Sequence, residues 1–270
     1  MSFLLKSHLF ISICVAVFTT QTYWVFSNFN GLSITPVLIN FIGTFVVYNL
    51  QKLFDSTKDE FIVFEKYKWY TKYRKLLFTL LFLFVFISVP TIYSFFKNNS
   101  NYFWLYIIAL IGAFVYYFKP IKLRSIGWYK PLHIALIYVF SGIVIPLNAH
   151  INETVIVYLS AQFVLIYCLC LIYDLKDYNQ DKVINLKTIT TRLNLKTFKI
   201  VCVCLLLLHV LLNLFTHDVS LIYSSMCVAL YLIAFILLLN YNLKYIFYLL
   251  FVDGVFLLQF LLIIMFSNYV

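Results

Sequence analysis

Three aspartates directly after an apolar run, Asp174, Asp177 and Asp181, are the residues of this chain best suited to chemistry. If a helix continued through them, their spacing would place all three carboxylates on one face. Carboxylates crowded on one face repel each other unless a cation lies between them, and Mg²⁺ commonly fills that role where phosphate oxygens complete its coordination. Lys176 and Lys182 add positive charge beside the acids. The pattern predicts a site for a metal-bound diphosphate, and the alternative is a solvated charge cluster at a helix end.

A second acidic segment follows an earlier apolar run. Asp55 and Asp59 are separated by four residues, so on a helix they too could share one cation. Asn49 lies six residues before Asp55, where its side chain could bind the metal or hold a carboxylate. The alternative for Asn49 is a hydrogen bond between helices, which is common for Asn near the end of a membrane helix.

The elements that must position these acids are membrane helices. Hydrophobic residues make up 64% of the chain, charged residues only 11%, and the mean hydropathy is +0.95, which excludes a soluble domain. We predict an all-α, polytopic membrane protein with a single domain over residues 1–270. Its first apolar run is expected to be a retained helix. The apolar runs of membrane-spanning length are 8–26, 34–54, 76–96, 101–118, 131–149, 154–173, 198–215, 219–240 and 245–266.

The basic residues predict the orientation of these nine runs. All of the 20 Lys and Arg residues except Lys97 fall on one side when the runs are taken to alternate across a membrane. The positive-inside rule then predicts a cytoplasmic N-terminus and an external C-terminus in an inner or plasma membrane. This topology, together with attraction to anionic lipid headgroups, accounts for the net charge of +10 without nucleic-acid binding. Seven of the ten carboxylates lie in the two predicted cytoplasmic segments that follow the second and sixth runs.

Two segments carry a family resemblance. Residues 174–182 read Asp-x-x-Asp-x-x-x-Asp-Lys, and residues 187–193 read Lys-Thr-Ile-Thr-Thr-Arg-Leu. Together they resemble the second aspartate-rich motif of the UbiA superfamily of intramembrane prenyltransferases. Residues 117–124, Tyr-Phe-Lys-Pro-Ile-Lys-Leu-Arg, resemble the signature that follows helix 4 in that family. Nine helices, a cytoplasmic N-terminus and charged loops after helices 2, 4 and 6 extend the resemblance over the whole chain.

The first aspartate-rich motif departs from the family pattern. From Asn49, the usual Asn-Asp-x-x-Asp-x-x-x-Asp spacing would require acids at 50, 53 and 57, where this chain has Leu, Leu and Thr. The acids lie instead at Asp55 and Asp59, which keeps their four-residue spacing but displaces them by two positions. The motif is therefore altered rather than absent.

The resemblance implies a UbiA-like helical bundle with a central cavity open to the cytoplasmic side. It implies Mg²⁺-dependent transfer of a polyprenyl group from a prenyl diphosphate to a small aromatic or lipid-precursor acceptor, with the isoprenoid tail between helices and open sideways to membrane lipid. The expected catalytic residues are Asp174, Asp177 and Asp181. The same three acids together with Asp55 and Asp59 are the expected Mg²⁺ ligands. The expected diphosphate-binding residues are Lys122, Arg124, Lys182, Asn49 and Tyr117.

Other functions stay open. A UbiA-like protein that binds without catalysing is favoured by the displaced first motif. A secondary transporter would place ionisable residues near the bilayer midplane on broken helices, and here only Asp253 lies deep inside an apolar run. An intramembrane carboxylate is by default a candidate for function, the alternative being a pairing with Lys or an amide. The acceptor, the prenyl chain length and any protein partner are left open by the sequence.

Overall fold

A computed structural model describes the following parts of the 270-residue chain: residues 7–27, 33–56, 65–98, 100–115, 129–147, 150–183, 187–241 and 243–268. Within these ranges the regular structure is helical and contains no strand, so the all-α prediction is confirmed. By length and composition, seven of the described helices are able to cross a membrane. Such a set of long apolar helices is typical of an integral membrane protein.

The helix ends agree with the predicted apolar runs to within a few residues. Run 154–173, for example, corresponds to the helix Glu153–Leu175, whose 23 residues span about 34 Å and so exceed the roughly 30 Å hydrocarbon core of a bilayer. The fourth and fifth runs correspond to shorter apolar helices, Tyr102–Ala113 and Tyr129–Val144. Nine spans and a UbiA-like bundle therefore stay predictions.

The chain divides into two compact units, Met1–Tyr117 and Phe118–Val270. The first unit contains α1 to α5. In chain order these helices are Leu9–Ser27, Ile34–Asp55, Glu65–Lys72, Arg74–Asn98 and Ser100–Val115.

The first unit is held together by an apolar cluster and by polar contacts between its helices. Buried side chains from α2, α3 and α4 form the cluster, which includes Phe45, Tyr70 and Leu77. Between α1 and α2, Asn40 Nδ2 donates a hydrogen bond to Thr19 Oγ1 at 2.8 Å. Such a bond satisfies two buried polar groups that neither water nor lipid could satisfy.

The second unit is built on four long helical segments, one shorter apolar segment and two short helices near the acids. It contains α6 to α13, which in chain order are Tyr129–Val139, Glu153–Leu175, Tyr178–Val183, Ile189–Arg192, Leu195–Leu214, Val219–Leu238, Tyr245–Tyr248 and Val255–Ser267. Side-chain caps begin several of these helices: Asn152 Oδ1 accepts from Val155 N at 2.9 Å at the start of α7, and Asp218 Oδ1 accepts from Ser220 N at 2.8 Å at the start of α11. Each cap satisfies a backbone donor that has no partner within the helix.

Two π-helical turns interrupt the helices of the second unit. Phe140–Val144 extends α6, and Leu249–Asp253 separates α12 from α13. Gly254 follows the second turn, and a Cβ atom at this position would lie only 2.3 Å from the carbonyl oxygen of Leu250. A glycine is therefore required where this turn rejoins the helix.

Candidate functional site

The acids of the second unit lie where the apolar helix α7 ends. The helix stops at Leu175, Lys176 and Asp177 form a turn, and α8 begins at Tyr178. The backbone N–H of Asp177 donates to the carbonyl of Asp174 at 3.0 Å, which is a three-residue turn rather than a continued α-helix. No unbroken α-helix runs through all three aspartates, because this turn separates the first acid from the third.

Asp174 is buried at the end of α7 and is matched by a lysine from the preceding helix. Lys130 Nζ, in the first turn of α6, donates a charge-assisted hydrogen bond to Asp174 Oδ1. The Asp174 side chain is 6% exposed and that of Lys130 is 20% exposed. A carboxylate removed from water to this extent needs such a partner, because an unpaired buried charge is strongly destabilising.

Lys176 occupies a cage of aromatic and acidic groups just past the end of α7. Its Nζ lies 3.8 Å from the centroid of the Tyr173 ring and 4.7 Å from that of Tyr245. It also lies 3.8 Å from Asp177 Oδ2. The two tyrosine hydroxyl groups approach each other to 3.3 Å. Ring faces at these distances attract a cation, so the cage already holds one positive charge supplied by the chain itself.

The third acid, Asp181, lies on α8 and is buried, with 5% of its surface exposed. The Tyr178 ring, also on α8, stacks on that of Tyr241 with centroids 4.2 Å apart, which fixes this short helix against the segment after α11. Lys182 is exposed, and its Nζ lies 5.8 Å from the centroid of the Tyr178 ring.

The donor chemistry of these acids fits a divalent cation. Mg²⁺ binds oxygen ligands, usually one or two carboxylates together with phosphate and water, and Asp174, Asp177 and Asp181 provide carboxylates within eight residues of chain. Among the residues that the structure describes, no group of three His, Cys, Asp or Glu side chains is arranged as a metal site by itself. A cation bound at Asp174 would also share that carboxylate with the ammonium group of Lys130.

Asn49 is buried in the first unit, and its amide group is already used for packing. Its Nδ2 donates to the carbonyl oxygens of Ser7 at 2.7 Å and of Phe45 at 2.8 Å. The first bond ties the segment before α1 to α2, as expected for an Asn that holds helices together. Its Oδ1 is buried and has no hydrogen-bond partner among the described residues, so only this atom is left for a ligand.

The remaining predicted residues are only partly covered by the described ranges. Asp55 is the last residue of α2, and its side chain is not among those described. Outside the described residues lie Asp59, Tyr117, Lys122 and Arg124. Their predicted roles stay predictions.

Three residues of the second unit were not assigned to the site from the sequence. In the sequence, Lys130 contributes only to the charge asymmetry between the two sides, and no local pattern connects it to Asp174, which lies 44 residues later. Tyr245 lies 72 residues after Tyr173 and reaches it only through tertiary packing. Asp253, on the π-helical turn of the last span, lies close enough to Lys176 and both tyrosines to interact with them electrostatically. Of the three, only Asp253 had a signal in the sequence: a carboxylate inside an apolar run.

No protein-family model, no curated protein and no solved structure matches this chain.

Proposed function

We propose that this protein is a Mg²⁺-dependent prenyltransferase, which transfers a polyprenyl group from a prenyl diphosphate to a small acceptor. The observation that carries the proposal is the alternation of carboxylates and amines at the end of α7. Asp174 pairs with Lys130, Asp177 lies beside Lys176, and Asp181 follows on α8. Acids that bind a metal and amines that bind phosphate oxygens are the two kinds of group that a metal diphosphate requires.

The reaction breaks the bond between the allylic carbon and the diphosphate oxygen. The electron pair leaves with the diphosphate, and the acceptor then forms a bond to the allylic carbon and loses a proton to solvent. Carboxylates of Asp174, Asp177 and Asp181 would hold Mg²⁺ together with the diphosphate oxygens, and the ion would supply Lewis-acid stabilisation of those oxygens. The amines of Lys130 and Lys176 neutralise the developing negative charge through charge-assisted hydrogen bonds.

The positive charge on the allylic group needs different surroundings from the diphosphate. The rings of Tyr173 and Tyr245 lie within cation–π distance of the Lys176 ammonium group, and their faces would become available to the allylic cation when Lys176 turns to the diphosphate. The apolar residues of α7 exclude water, which would otherwise capture the cation. Diphosphate and allylic group are thus separated along α7, with the acids at its end and the aromatic and apolar side chains before them.

The proposal is tested by replacing Asp177 with Asn in the full-length protein. Asp177 is half-buried and is not the partner of Lys130, so the variant is expected to fold. Turnover of a radiolabelled farnesyl diphosphate with Mg²⁺ and a panel of hydroxylated aromatic and lipid-precursor acceptors should fall by about a hundredfold or more, since metal stabilisation of a transition state contributes several kcal/mol.

The matched control is Glu153→Gln, which removes an exposed carboxylate from the opposite end of the same helix. This variant should keep wild-type turnover. Equal turnover by the wild-type protein and Asp177→Asn, or an equal loss in both variants, would contradict the assignment.

Non-catalytic binding is the second candidate, and the ion pair between Lys130 and Asp174 favours it, because a carboxylate matched by lysine is less available to a metal. Such a protein would bind a non-hydrolysable farnesyl thiolodiphosphate but form no prenylated product. A secondary transporter is the less favoured alternative, supported by the buried Asp253 on an interrupted span.

A further inference from the structure

The last span carries a buried carboxylate that the proposed diphosphate site does not use. Asp253 is 7% exposed, and its Oδ2 has no hydrogen-bond partner among the residues that the structure describes. Buried polar groups in proteins nearly always have a partner, and the cost is greater in a membrane, where no bulk water can replace it. This oxygen is therefore able to accept a hydrogen bond from a bound ligand.

The backbone around Asp253 is built to hold this side chain in place. Asp253 is the last residue of the π-helical turn Leu249–Asp253. Turns of this kind are rare and are found frequently at functional sites. The glycine that follows admits no side chain without a clash against the Leu250 carbonyl, so the local geometry is tightly specified. A specified backbone that leaves a buried carboxylate oxygen unsatisfied is better explained by a ligand than by packing.

The neighbours of Asp253 place it beside the proposed path of the allylic cation. Lys176, Tyr173 and Tyr245 all interact with it electrostatically. The ammonium group of Lys176 is itself held over the two tyrosine rings and near Asp177, and it does not satisfy Asp253 Oδ2. The carboxylate of Asp253 therefore lies within electrostatic reach of Lys176 and of both tyrosines around it.

We propose that Asp253 binds the acceptor substrate by accepting a hydrogen bond from its hydroxyl or amine group. The acceptor class is then restricted to molecules that carry an O–H or N–H donor near the atom that becomes prenylated. This inference rests on the proposed prenyltransferase function and adds the acceptor half of the same site. Asp253 holds and orients the acceptor, and the bonds broken and formed are those of the transfer described above.

The experiment compares wild-type protein with Asp253→Asn, which keeps the shape of the side chain and removes its charge. Two quantities are measured in the full-length protein. One is the binding of farnesyl thiolodiphosphate by titration calorimetry. The other is Mg²⁺-dependent transfer from farnesyl diphosphate to a panel of phenols and aromatic amines and to their O-methylated or N,N-dimethylated counterparts. Asp253→Glu, which keeps a carboxylate, and Glu153→Gln, which changes an exposed one, serve as matched variants.

If the inference is right, Asp253→Asn binds the thiolodiphosphate as the wild-type protein does, and its KM for the unmethylated acceptors rises about tenfold or more while kcat changes less. This size follows from the contribution of a hydrogen bond to a charged group. Asp253→Glu should recover part of the loss, and methylated acceptors, which lack the donor, should be poor substrates for wild-type and Asp253→Asn proteins alike.

Several results would overturn the inference. One is unchanged transfer by Asp253→Asn. Another is a loss of thiolodiphosphate binding by Asp253→Asn that matches its loss of transfer. A third is wild-type transfer to methylated acceptors that is as efficient as transfer to the unmethylated compounds. A wild-type protein that prenylates only compounds without a hydroxyl or amine group also overturns it, whereas a protein that binds the thiolodiphosphate and prenylates nothing removes the proposed function itself. Failure of the wild-type protein to bind the thiolodiphosphate is a different result, because it removes the proposed function itself and the acceptor site with it.

Discussion

Asp174 and Asp253 are both buried carboxylates of the second unit, but their surroundings differ. Asp174 ends a regular helix and is matched by the ammonium group of Lys130. Asp253 lies on a π-helical turn, and its Oδ2 has no partner among the described residues. A paired acid contributes to the folded structure through its partner, whereas an unpaired one lowers stability and is retained where binding requires it. The comparison separates a carboxylate whose charge is matched by a lysine of the chain from one whose Oδ2 has no donor among the described residues.

The largest effect on the unfolding free energy is expected when the lysine of the Lys130–Asp174 ion pair is replaced. Lys130→Met keeps most of the side-chain length but leaves a buried carboxylate unmatched, and we expect a loss of about 3–5 kcal/mol in unfolding free energy. Denaturant-induced unfolding in detergent measures it. Lys182→Met, at an exposed lysine, should change stability by less than about 0.5 kcal/mol. Full wild-type stability in Lys130→Met would show that the ion pair does not hold α6 to α7.

A smaller loss is expected at the π-helical turn. In Gly254→Ala the added Cβ would lie 2.3 Å from the Leu250 carbonyl oxygen, so the backbone must shift, at a cost of about 2 kcal/mol. The control is Gly43→Ala in α2, where nothing lies within 4 Å of the new atom and a gain of about 0.5–1 kcal/mol is expected. Thermal unfolding of the two variants, measured side by side, tests this difference in stability. Equal behaviour would mean that the turn at Asp253 is not specified by its glycine.

The smallest predicted effect on the unfolding free energy is a gain rather than a loss. Asp253→Leu replaces the unsatisfied carboxylate by an apolar side chain of similar size, and we expect a gain of about 1 kcal/mol in unfolding free energy. Asp218→Leu provides the contrast, because Asp218 caps α11 through Ser220 N and Leu221 N and its loss should cost about 1 kcal/mol. A destabilised Asp253→Leu would mean that Asp253 supports the fold, and the contrast with Asp174 would disappear.

Much of the helical layout could be predicted from the sequence, since long apolar runs leave few alternatives to membrane helices. The run 154–173 agrees with Glu153–Leu175 to within two residues at either end. The arrangement of the acids could not be predicted in the same way. The turn at Lys176 and Asp177 interrupts the helix that their spacing suggested, and the partner of Asp174 lies 44 residues earlier in the chain.

The sequence by itself determined that this is an α-helical chain with several membrane-length segments, and that carboxylates lie at the end of one of them. Composition and run length were sufficient because a bilayer accepts few structures other than apolar helices. Tertiary structure alone decided which charges meet. The Lys130–Asp174 pair and the approach of the Tyr245 ring to Lys176 both depend on contacts between helices distant in sequence, where packing rather than local pattern sets each distance.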